Sequence, residues 1–127
     1  MDKALYVGIG GFIGSVLRYW VSGIAQQLAN NPSFPFGTLT VNLAGCLVIG
    51  FLSQLADMRG VFTPEARLFV FVGILGGFTT FSTFGNETMN FLRDGQSLPA
   101  LLNVAAHILA GLAIIWLGRA LAYWIWR

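Results

Sequence analysis

Charge is scarce in this sequence. Only 9% of its 127 residues are charged, against about 25% in an average globular domain. No run of like charge occurs, and the net charge of +2 is scattered along the chain. That pattern excludes the basic footprint of a nucleic-acid binder. The single cysteine, Cys46, excludes an intrachain disulfide framework or a thiolate cluster. It sits in an apolar segment and reads as a small packing residue. The single histidine, His107, cannot form a histidine metal site without ligands from elsewhere. No Walker motif is present, so no nucleotide is implied. Gly8-x-Gly10 is no dinucleotide fingerprint, because Ile13 stands where the third glycine should be and no strand precedes it.

What the chain has instead is apolar length. It is 56% hydrophobic with a mean hydropathy of +0.73. A transmembrane helix takes about 20 residues, so four spans use most of the chain. The expected fold is an all-α membrane protein, one domain over residues 1–127, with helices near 4–28, 37–56, 65–92 and 99–124. The N-terminal run follows Lys3 as a signal peptide would. It is glycine-rich, continues past Trp20 and has no A-x-A site, so it reads as a retained first helix.

The helix boundaries carry ordinary signals. Asn30-Asn31-Pro32-Ser33-Phe34-Pro35 prevents helix and forms the first loop. The second loop is expected over Asp57 to Pro64. Thr63-Pro64-Glu65 then reads as a cap, a first helical residue and an acidic first turn. Arg93 to Ser97 is the third loop, and Pro99 is expected to start helix four. In helix one, Gly10/Gly14 and Gly11/Ser15 place small residues four apart, which lets backbones approach closely in lipid.

The stretch from Gly73 to Glu87 does not suit a plain lipid-facing helix. Gly76-Gly77 is a weak point. Thr79, Thr80, Ser82 and Thr83 put four hydroxyls within five residues, interleaved with Phe78, Phe81 and Phe84. A broken backbone in lipid persists only if it is buried in protein or lines a wet cavity. If the segment after Gly77 is helical, the phenylalanines form one slanted ridge, stepped by about 60°, beside a ridge of Thr79, Ser82 and Thr83. Ring edges are weakly positive, so hydroxyls and ring edges together suit an anion that must be bound and released. The competing reading is core or lipid contact, with hydroxyls bonded to their own backbone.

Other polar residues at membrane depth also allow two readings. Arg18 is either an interface anchor beside Tyr19 and Trp20 or a charge at a pore mouth. Asn42 is either interhelical glue or a donor aimed at an ion. Glu87 is the only acid well inside a predicted helix, where a carboxylate is usually functional. Asn103, His107 and Gly111 recur every four residues and should face protein or water. Four spans place Lys3, Arg59, Arg67, Arg119 and Arg127 at one end and Arg18 and Arg93 at the other. That favours a cytoplasmic N-terminus by a thin margin, compatible with insertion both ways.

At these residues the sequence resembles the small bacterial fluoride channels of the CrcB or Fluc family. Gly-Gly-Phe-Thr-Thr-Phe-Ser-Thr-Phe at 76–84 with Glu87, Gly37 to Gly45, and Gly14 to Tyr19 are similar to three motifs of that family. The resemblance covers the whole chain. It implies a passive, fluoride-selective channel of the bacterial cytoplasmic (inner) membrane that exports fluoride and confers resistance to it, not an enzyme. It implies an antiparallel homodimer, each copy inverted relative to the other in the lipid, with two pores. Phe81 and Phe84 match pore-lining phenylalanines, and Asn42 the pore asparagine. Ser82 and Thr83 match a polar track beside them, and Arg18 a basic residue near the vestibule; Thr80, Glu87, Asn103 and His107 are further pore candidates. Gly76 and Thr79 match a break whose backbone carbonyls, from both subunits, hold a central structural Na⁺. Helix four departs from the family: Asn103, His107 and Gly111 stand where a tyrosine and serines are common. A proton-coupled small multidrug exporter is the alternative, with Glu87 replacing that family's helix-one glutamate. A third reading is a non-transporting assembly subunit.

Overall fold

The computed structural model describes residues 2–127. Its backbone is all helix and loop, with four helices long and apolar enough to cross a membrane: α1 (Lys3–Ala29), α2 (Phe36–Arg59), α3 (Pro64–Arg93) and α4 (Ser97–Trp126). The chain is a multi-pass membrane protein. The N-terminus, the α2–α3 loop and the C-terminus share one end, where the Arg59 guanidinium donates to the Trp126 carbonyl at 2.8 Å. Lys3, Asp57, Arg67 and Arg119 surround one cavity there.

Helix limits follow local chemistry, with two departures from the sequence reading. α2 continues three residues past Ala56, because Gly60 (φ 58°) can take the left-handed conformation that ends it. α4 begins at Ser97, two residues before Pro99. Proline is tolerated there because a first-turn N–H has no intrahelical partner anyway. The Thr63 cap is as expected, its hydroxyl accepting from the Ala66 N–H at 3.1 Å. At the opposite end, the Gln26 side chain ties down the first loop. Its Nε2 donates to the Asn31 and Phe34 carbonyls, and its Oε1 accepts from the Gly37 N–H.

The helices meet through glycine, and little else is buried. α1 lies against the first half of α3, where Gly10 and Gly14 press on Gly73 and Ile74. A Cβ on Gly77 would sit 2.6 Å from the Gly11 carbonyl. α2 pairs with α4 through Gly50 and Gly118, each facing the other helix's backbone. Lipid supplies no hydrophobic force between helices, so this close backbone contact is what holds such a bundle. Large apolar side chains such as Phe12, Leu28 and Leu109 point outward.

Two stretches wind with the wider π-helical turn: Leu68–Leu75 in α3 and Ala106–Ala110 in α4. π-turns are rare and cluster at functional sites. The second contains His107.

Candidate functional site at the break in the third span

α3 is interrupted for two residues. Thr79 (φ −90°, ψ 158°) and Thr80 (φ −149°, ψ 114°) are extended, and helix resumes at Phe81. Gly76 and Gly77, the sequence's apparent weak point, are helical. Gly77 serves close packing against α1, while Gly76 is exposed. The break also corrects the phenylalanine ridge. Phe78 closes the upstream helix, whereas Phe81 and Phe84 belong to the downstream one.

Asn42 of α2 holds the break. Its Oδ1 accepts from the Thr80 N–H at 2.8 Å, and its Nδ2 donates to the Thr80 carbonyl at 3.0 Å. One amide thus pairs both backbone groups of the most extended residue. Without it, two polar groups at membrane depth would lack partners, at a cost of about 1–3 kcal/mol each. Downstream, the Thr80 hydroxyl caps the restarted helix, accepting from the Thr83 N–H at 3.3 Å and donating to the Thr83 hydroxyl at 2.9 Å. Thr79 donates through its hydroxyl to the Leu75 carbonyl at 2.9 Å.

The second hydrogen of the Asn42 amide meets Nε2 of His107 at 3.0 Å. His107 Nδ1 lies 3.0 Å from the Asn103 carbonyl. The imidazole stacks on Phe84, with centroids 4.1 Å apart and planes 29° apart. Phe84 in turn meets Phe81 edge-on at 5.5 Å. The two rings differ in surroundings: Phe84 is 7% exposed and Phe81 80%.

Asn42, Gly76, Thr79, Thr80, Phe81, Phe84 and His107 line one concavity of about 420 Å³, completed by apolar residues and Cys46. Its wall carries amide, hydroxyl, imidazole and ring edges, and no formally charged residue. Such a wall can hydrogen-bond an anion without the tight grip of a lysine or arginine.

The other sequence candidates lie outside this lining. Arg18 donates through Nε to the Gly77 carbonyl at 3.0 Å, so it braces α1 against the turn before the break. Replacing Arg18 with Ala is therefore expected to lower thermal stability in detergent by about 1.5–3 kcal/mol, the range for a bond from a charged donor. A denaturation midpoint equal to wild type would refute the brace. Glu87 accepts from the Thr38 hydroxyl at 2.6 Å, and its Oε2 is buried with no partner among the described residues. It lines the cavity at the first-loop end instead. Asn103 is fully buried and donates to the Thr88 hydroxyl at 3.0 Å. Ser82 is exposed, and its hydroxyl lies 3.5 Å from that of Thr80.

Sequence reasoning missed Thr38 as the partner of Glu87 and Cys46 as a wall residue. Their spacing was the available signal. Thr38, Asn42 and Cys46 are four apart on α2, so they share a face.

The sequence matches the family described as CrcB-like protein, Camphor Resistance (CrcB), over residues 5–119. The chain belongs to the CrcB family. Its CrcB relatives include proteins named "Fluoride-specific ion channel FluC". That of Chlorobaculum tepidum is 48% identical over 122 residues, 96% of this chain and 95% of the relative. That of Shewanella amazonensis is 44% identical over 123 residues, covering 97% and 98%. That of Methylobacillus flagellatus is 43% identical over 118 residues, covering 93% and 92%. The family match over residues 5–119 spans the break, Asn42 and the α4 face of this chain.

Proposed function

We propose that this CrcB protein is a passive fluoride channel that lets fluoride leave the cytoplasm of a bacterium through its inner membrane. The observation that carries the reading is the uncharged concavity, lined by amide, hydroxyl, imidazole and aromatic groups, at a break held open by Asn42. The relatives' names point the same way. Outside acid converts fluoride to neutral HF, which crosses lipid and ionises inside. An inside-negative potential then drives the anion out with about 2.3 kcal/mol per 100 mV. Phe81, Phe84, Ser82, Thr83, Thr80 and Asn42 form the path. Arg18 braces the break, and Glu87 and Asn103 set the packing beside it.

The working unit is a pair of copies inverted relative to each other. The concavity is open on one side, with Phe81 exposed at its rim and Gly76 exposed beside it. A second copy would close it and supply the facing wall.

A sodium ion at the pair's centre fits the residues present. In a continuous helix the Gly76 and Thr79 carbonyls would accept from the N–H groups of Thr80 and Thr83. Those N–H groups bond the Asn42 amide and the Thr80 hydroxyl instead. Carbonyls released at broken helices coordinate Na⁺ in other membrane proteins. The freed backbone oxygens of Gly76 and Thr79 would be the donor set. The cation would tie the two breaks together. Replacing Na⁺ with a bulky organic cation on both sides is expected to abolish fluoride current, and full current there would remove the ion from the account.

Current through purified protein in a planar bilayer tests the function. It should reverse at the fluoride equilibrium potential and ignore an imposed proton gradient. Transport that needs the proton gradient would favour the exporter instead.

A further inference from the structure

Each hydrogen of the Asn42 amide already has a protein partner, and the two partners differ in kind. The assignment follows from groups with only one possible role. The Thr80 N–H can only donate, so Oδ1 faces it. The NH₂ group therefore faces the Thr80 carbonyl and His107 Nε2. Nε2 must then accept, which puts the imidazole proton on Nδ1. There it meets the Asn103 carbonyl, which can only accept. The ring is also pinned flat against Phe84. His107 is thus held at two points with one lone pair aimed at Asn42.

We propose that His107 is a positioning residue whose Nε2 lone pair parks one Asn42 hydrogen while the pore is empty, and that fluoride displaces it by taking that same hydrogen. The proposal rests on the fluoride-channel reading above. Asn42 and His107 both line the concavity, so an ion there reaches the shared hydrogen. A hydrogen bond to an anion is roughly twice as strong as one between neutral groups, so fluoride wins the exchange. The bonds from Asn42 to Thr80 persist throughout, so the break keeps its shape as the ion passes. Competition with His107 weakens binding enough for the ion to leave. Position 107 therefore sets how tightly the pore holds fluoride.

The chain has a single histidine, so ¹⁵N NMR of histidine-labelled protein in lipid reads this ring alone. Without fluoride, Nδ1 should be the protonated nitrogen and Nε2 a hydrogen-bonded imine. Adding fluoride should move Nε2 toward a free imine, saturably, and chloride should not. His107→Phe keeps a ring on Phe84 and removes the acceptor. Its half-saturating fluoride concentration for flux should fall about fivefold, the effect of one neutral hydrogen bond. His107→Gln restores an acceptor and should return that concentration toward wild type. Protonated Nε2 in the fluoride-free protein, an Nε2 signal blind to fluoride, or a half-saturating concentration unchanged or raised in His107→Phe would each overturn the proposal. Failure of the underlying reading is distinguishable: wild-type protein would then carry no fluoride at all, whatever the histidine signal.

Discussion

Replacing Asn42 with Ala is expected to reduce fluoride flux at least about 25-fold. The substitution leaves the Thr80 N–H and carbonyl without the partner that bonds both. Two unpaired groups at about 1–3 kcal/mol each, with a factor of ten per 1.4 kcal/mol, give that floor. Nothing local can replace the amide, because regaining a helical bond from Thr80 to Gly76 would straighten the break. Asn42→Asp discriminates further. It keeps an oxygen for the Thr80 N–H but loses the donor and sets a negative charge beside the Thr80 carbonyl. It should be as inactive as the alanine variant. Fluoride-electrode measurements on liposomes, with protein yield and monodispersity checked in parallel, read both. Activity near wild type in either variant would mean that the clamp is not needed.

The second large effect concerns assembly of the chain itself. Gly14→Val should prevent a stable bundle from forming. A Cβ at Gly14 would run into the Ile74 carbonyl and come within 2.9 Å of the Phe78 nitrogen. These are backbone atoms and cannot rotate away. Overpacking typically costs about 1–3 kcal/mol even where side chains can shift. The contact also lies next to the break, so relief by displacement would disturb Thr79 and Thr80. Gly11→Ala is the control, since nothing lies within 4 Å of a Cβ there. Its stability should stay within about 0.5 kcal/mol of wild type. Size-exclusion profiles and thermal denaturation in detergent distinguish the two. A monodisperse Gly14→Val protein melting like wild type would contradict the packing described.

These two positions mark what the sequence made legible. Gly10 and Gly14 announced themselves by spacing, because small residues four apart have one strong use in lipid. The Thr63-Pro64 helix start and the inward-facing Asn103, His107 and Gly111 stripe were readable for similar local reasons. The place of the break was not. Gly76-Gly77 has the poorer helix propensity, yet propensity is a weak prior that tertiary contact overrides. Thr79 and Thr80 are extended because an amide thirty-eight residues upstream takes the Thr80 N–H, and no local pattern encodes that. The same displacement explains why Phe78 left the expected ridge. A regular helix drawn from Gly77 carries all three rings on one line, and two extended residues destroy that phase. The Arg18 hydrogen bond was not legible either, because its carbonyl partner on α3 becomes visible only when α1 and α3 are packed. The π-turn around His107 has no sequence signature here. Resemblance to a known family supplied what spacing could not: the ion, and the expectation of an inverted pair and a sodium that the proposal above carries.

The central claim is that the break and its amide clamp form the wall of a path for fluoride. Anion efflux from liposomes holding the purified wild-type protein tests it most directly, with internal fluoride and chloride followed side by side under a potential that drives both outward. Rapid loss of fluoride with chloride retained is the predicted result. Retention of both ions, or loss of the two at similar rates, would contradict it.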